Sequence, residues 1–123
     1  MIKLFILLGA INAALAVMLG AFGAHGLKDK LTEHMLSVFQ TGVQYHFYHA
    51  LGLFAVAFVA SQYPESALVK WSGWTMLAGI ILFSGSLYVL SLSGVRWLGA
   101  ITPLGGVAFI IAWCLLAISV VKN

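Results

Sequence analysis

Residues 40 to 49, Gln40-Thr41-Gly42-Val43-Gln44-Tyr45-His46-Phe47-Tyr48-His49, bring two imidazoles, two phenols and two amides into one short stretch. His46 and His49 stand three apart, the spacing that lets two imidazoles on one helix face hold a metal, with His25 as a third donor. No Asp or Glu within the apolar segments supplies a fourth ligand, so metal or haem is the weaker reading and no cofactor is expected. Imidazoles hydrogen-bonded to Tyr88, Ser86 or a backbone carbonyl are the simpler expectation. A Ser-His-acid arrangement lacks its acid: Glu33 is the one carboxylate near a histidine, and it lies in a polar interval. No enzymatic activity is expected. A proton-coupled exporter would place a carboxylate deep in a span, yet Asp29, Glu33 and Glu65 all lie outside the apolar runs.

The elements that must position these groups are set by solvent. Of 123 residues, 63% are hydrophobic and 7% charged, against about 25% charged in an ordinary soluble domain. Four apolar segments at about 4–24, 43–61, 71–92 and 98–121 approach the roughly 20 residues that cross a bilayer core. The length leaves room for one domain over 1–123. The expected fold is all-α: an integral membrane four-helix antiparallel bundle with an amphipathic helical segment between the first and second spans. A net charge of +3 without a basic run argues against nucleic acid. Cys114 stands alone and can form no internal disulfide. Lysines and arginine divide three against three between the two faces, Lys3, Lys70 and Lys122 facing Lys28, Lys30 and Arg96. Placing both termini inside rests only on the acids that accompany the lysines of the amphipathic interval.

Boundaries carry their own signals. Gly26 follows His25 as a natural C′ residue. Leu27, Leu31, Met35, Val38 and Phe39 recur at helical spacing among charged neighbours, with Thr32 or Asp29 as N-cap. That segment either continues into the second span or lies flat in the interface. Pro64 stops the second span, and Pro103 kinks the fourth unless it sits in the first turn. Gly20-Ala21-Phe22-Gly23-Ala24, with Gly9, Gly79, Gly85, Gly105 and Gly106, supplies small residues for close helix packing, within one subunit or between copies. Leu8-Gly9-Ala10-Ile11 recurs as Leu98-Gly99-Ala100-Ile101, too short a match to establish an inverted repeat.

Connectivity gathers His25, Gln44, His46, His49, Ser86, Tyr88 and Thr102 toward one membrane side as a candidate polar pocket. Asn12 and Trp113 fall in the opposite half. On a helical wheel Glu33, Ser37, Gln40, Gln44 and Tyr48 lie within about 80°, and His46 and His49 lie almost opposite, pointing into the bundle or at a neighbouring subunit. Gly20-Ala21-Phe22-Gly23-Ala24-His25-Gly26, Tyr45-His46-Phe47-Tyr48-His49-Ala50-Leu51, Leu82-Phe83-Ser84-Gly85-Ser86-Leu87-Tyr88 and Thr102-Pro103-Leu104-Gly105-Gly106 together resemble the DUF423 family, the UPF0382 small membrane proteins. The resemblance covers essentially the whole chain. It implies a multi-pass protein of the bacterial inner or plasma membrane, with mitochondrial relatives in animals, and no assigned activity. The family pattern matches His25, His49, Ser86 and Pro103. At position 46 its members often carry glutamine, which favours His25 and His49 as the better pair. The function expected is binding of membrane lipid or a membrane-protein partner, in a homo-oligomer. A transporter or channel for a small solute is the alternative.

Overall fold

The computed structural model describes residues 1–122 and is a bundle of four membrane-spanning helical segments. The first is α1 (Ile2–His25), whose composition offers almost no polar face. The second is α2 (Glu33–Gln62), an unbroken helix of 30 residues. The third is built from α3 (Ala67–Gly79), a π-helical turn at Ile80–Ser84, and α4 (Gly85–Ser93). A 3₁₀ turn (Arg96–Ala100) leads into the fourth, α5 (Thr102–Lys122).

The amphipathic interval therefore continues into the second span and does not lie flat as a separate interfacial helix. Thr32 is the cap: its extended backbone starts α2, and its hydroxyl accepts the Met35 amide at 3.1 Å. At about 1.5 Å per residue, 30 residues reach roughly 45 Å, well beyond a hydrocarbon core of about 30 Å. With Gln62 at one boundary, the other falls near Gln44, and Glu33–Gln40 extends past it.

Of the expectations about helix ends, one is corrected and one is decided between its alternatives. Gly26 follows α1 as anticipated, but its φ of −90° is right-handed. What its missing side chain provides is room for the Phe22 ring, which a Cβ would meet at 2.8 Å. The left-handed glycine is Gly94, at φ 76°, closing α4. Pro103 lies in the first turn of α5, where its missing N–H has no helical acceptor to lose, so it does not kink the span. The two Leu-Gly-Ala-Ile copies occupy unlike elements, the middle of α1 and the end of the 3₁₀ turn, which removes the basis for a repeat.

The hub is α2. Buried residues make up 44% of its apolar window against 22% for α1, which rests chiefly on α2. A core of Phe5, Leu53, Val56, Val69, Met76, Ile80, Phe109 and Leu116 fills the space between α2, α3 and α5. Glycines set the approach distances within the subunit. Gly9 lies against the Ala50 carbonyl, Gly20 against Val43 and Gly23 against the Phe39 ring, all on α2. At Gly105 a Cβ would collide with the Phe83 backbone, so glycine there permits the close approach of α5 to the π turn. Hydroxyls add bridges between spans: Ser72 donates to the Ala112 carbonyl at 2.6 Å and Ser84 to the Gly42 carbonyl at 2.7 Å.

Candidate functional site

The buried face of α2 carries both histidines, while Glu33, Ser37, Gln40, Gln44 and Tyr48 are exposed. This is the division the wheel predicts. His46 joins three spans. Its Nε2 lies 2.9 Å from Asn12 Oδ1 on α1, and its Nδ1 lies 2.8 Å from the Tyr88 hydroxyl on α4. Asn12 uses its amide N–H on the Leu8 carbonyl, at 2.8 Å, so its Oδ1 is the acceptor. The neutral His46 ring then carries its proton on Nε2, donates to Asn12, and accepts the Tyr88 O–H at Nδ1. The Phe39 ring, fully buried, covers Tyr88 with centroids 5.2 Å apart.

His49 is held differently. The Trp113 indole N–H, a donor only, approaches Nε2 at 3.1 Å, so that nitrogen accepts. Nδ1 consequently carries the proton and donates to the Tyr45 carbonyl at 2.7 Å. The ring stacks on Phe109, with centroids 3.5 Å apart and planes 7° off parallel. One tautomer satisfies both contacts, and all four ring nitrogens of the pair are engaged by protein groups. Among the described residues no buried side-chain nitrogen or oxygen lacks a partner, as a low-dielectric interior demands.

The sequence-predicted residues separate into distinct places. His46 and Tyr88 meet, and His49 sits one turn further along with Trp113. Ser86 and Thr102 pair hydroxyl to hydroxyl at 2.6 Å, joining α4 to α5. His25 ends α1 exposed, and Gln44 faces outward. Asn12 and Trp113, assigned by connectivity to the opposite half, are instead direct partners of the histidines. Asn12 is level with His46, which lies about 24 Å along α2 from Gln62 and so closer to the Gln44 boundary. The polar interior therefore lies toward the amphipathic start of α2, and Asn12 and Trp113 belong to it. A lone amide within 21 uncharged residues needs a buried partner, and that signal was available in the sequence. The role of Trp113 carried no comparable sign, since tryptophan fits an aromatic belt equally well.

Outside this interior, α1 and α2 leave a groove of about 330 Å³ lined by Ala16, Val17, Gly20, Ala21, Val43, Gln44, Phe47 and Tyr48. A smaller hollow of about 260 Å³ adjoins it and adds Gln40 and Phe39. Neither is lined by His46 or His49.

A multi-pass helical membrane protein with an internally satisfied polar core is the class these features define. Residues 19–106 match the profile of the family described as "Protein of unknown function (DUF423)". The chain is 62% identical over 120 residues to the UPF0382 membrane protein YwdK of Bacillus subtilis (strain 168), covering 98% of each. It is 51% identical over 120 residues to a UPF0382 membrane protein of Staphylococcus epidermidis (strain ATCC 12228), covering 98% of this chain and 97% of the relative. The chain belongs to the DUF423 family of small membrane proteins. No solved structure matches it.

Proposed function

We propose that the protein is a non-enzymatic, lipid-binding accessory protein of the cell membrane, and that phospholipid occupies the groove between α1 and α2. The observation that carries this reading is the groove's polarity gradient. Counted from Gln62 at about 1.5 Å per residue, Gln44 lies near the edge of the hydrocarbon core and Gln40 beyond it. Their amides can donate to and accept from a headgroup and its ester carbonyls. Below them Ala16, Val17 and Phe47 offer an apolar floor for an acyl chain. The small residues Gly20 and Ala21 open the wall, and Tyr48 stands exposed at its rim. The deep imidazoles are less suited to a ligand, because binding one would require breaking hydrogen bonds already made inside the bundle.

The test is photocrosslinking in membranes with a phospholipid carrying a diazirine on its acyl chain. Adducts are expected to concentrate on residues 16–21 and 43–48 relative to Ile110 and Ile111 on the outward face of α5. Ala21→Phe, which fills the groove from an exposed position, is expected to lower the groove adducts selectively. Even labelling of all outward faces, unchanged by Ala21→Phe, would overturn the proposal.

A further inference from the structure

At the other end of the bundle, a cavity of about 490 Å³ opens between the start of α1 and the start of α3. Its walls include Leu4, Phe5, Pro64 and Trp74, and its charged groups are the Lys70 ammonium, the α-amino group of Met1 and the Glu65 carboxylate. Phe5 is fully buried and meets Trp74 edge-on, with centroids 5.7 Å apart, and the two rings form the inner wall. Trp74 is 37% exposed and Trp71 60% exposed, where indoles favour the headgroup layer. Lys70 and Glu65 are both exposed and, among the described residues, form no ion pair with each other. A slot at headgroup depth, with an apolar inner wall and groups of both charges among its lining residues, is complementary to a phosphodiester that bears an amine.

We propose that this cavity binds the headgroup of an aminophospholipid, with the phosphate against the Lys70 ammonium and the lipid's primary ammonium against the Glu65 carboxylate. The diacylglycerol would then descend along Leu4 and Trp74. A primary ammonium donates hydrogen bonds to Glu65, and a trimethylammonium cannot. The site should therefore prefer phosphatidylethanolamine to phosphatidylcholine. It lies at the opposite membrane face from Gln40 and Gln44 and shares no residue with the α1–α2 groove.

Native mass spectrometry of the full chain in detergent, with an equimolar mixture of phosphatidylethanolamine, phosphatidylcholine and phosphatidylglycerol, tests it. Phosphatidylethanolamine should be retained about threefold to fivefold over phosphatidylcholine, the range an exposed charge pair supports. Glu65→Gln should abolish that preference and raise phosphatidylglycerol, because the Lys70 and Met1 ammonium groups are then unopposed. Lys70→Gln should lower retention of both phosphatidylethanolamine and phosphatidylglycerol, and Lys122→Gln should change nothing. Equal retention of phosphatidylethanolamine and phosphatidylcholine by the unaltered protein, or a Lys70→Gln variant that binds as before, would overturn the proposal. In a parallel arm, soluble phosphoethanolamine that binds while no phospholipid is retained would overturn the lipid as its source. Both charged side chains are exposed, so the variants should fold, and unchanged melting temperatures check that.

Discussion

His46 is where three spans meet through side-chain hydrogen bonds, so replacing it measures what the polar interior contributes. His46→Leu fills similar space but removes a donor to Asn12 and an acceptor for Tyr88. Hydrogen bonds between membrane helices average about 0.6 kcal/mol, so the two together are worth about 1 kcal/mol. The larger effect is the orphaned acceptor: Asn12 is 9% exposed, and a buried polar group left without a partner costs about 1–3 kcal/mol. The half-buried Tyr88 hydroxyl can turn toward another acceptor and adds little. His46→Leu should therefore destabilise the bundle by about 2–4 kcal/mol. His46→Gln keeps a donor and an acceptor on one planar group and should cost less than about 1 kcal/mol. Removing Asn12 as well, in Asn12→Leu/His46→Leu, eliminates the orphan and should recover at least about 1 kcal/mol relative to the sum of the single variants. The assay is reversible unfolding in mixed micelles, followed by far-UV circular dichroism across a titration of denaturing detergent. A neutral His46→Leu, a His46→Gln as damaging as leucine, or strict additivity in the double variant would refute the reasoning.

Three further predictions address packing. Gly105→Ala should destabilise by about 1–3 kcal/mol, because its Cβ would meet the Phe83 backbone, which cannot rotate aside. Gly85→Ala, with nothing within 4 Å of the new methyl, should be neutral or stabilising by up to about 1 kcal/mol, and thermal melting in detergent separates the two. Pro103→Ala should shift the melting temperature by less than about 2 °C, since first-turn proline breaks no helical hydrogen bond; a larger loss would mean that its ring packing matters.

How much of this was legible follows from what lipid does to sequence signals. The four spans announce themselves as long uncharged runs, and α2 is traceable from Thr32 because no breaker separates its amphipathic start from its apolar end. The same apolarity hides which face of α1 or α5 turns inward. Leu4, Ile11 and Met18 are exposed and Phe5 is buried, yet all read alike, since lipid and core reward the same side chains. Only α2, with polar residues on one face, betrayed its orientation. The π turn at Ile80–Ser84 left no mark, because Ile-Ile-Leu-Phe-Ser suits an α-helix equally. What distinguishes it is tertiary: within the turn the Phe83 backbone meets Gly105 and Ser84 reaches the Gly42 carbonyl. His46 with Tyr88 was recoverable from connectivity, but Asn12 and Trp113 were misplaced by dividing helices into halves. Helices of unequal length and offset do not align residue by residue.

An experimental structure in phospholipid nanodiscs tests the central claim most directly. Acyl-chain density along Ala16, Val17 and Phe47, headed toward Gln44 and Gln40, is the predicted result, with the rings of His46 and His49 bonded only to Asn12, Tyr88, Tyr45 and Trp113. A ligand or ion on any ring nitrogen of His46 or His49, or a water-filled path reaching them, would contradict it.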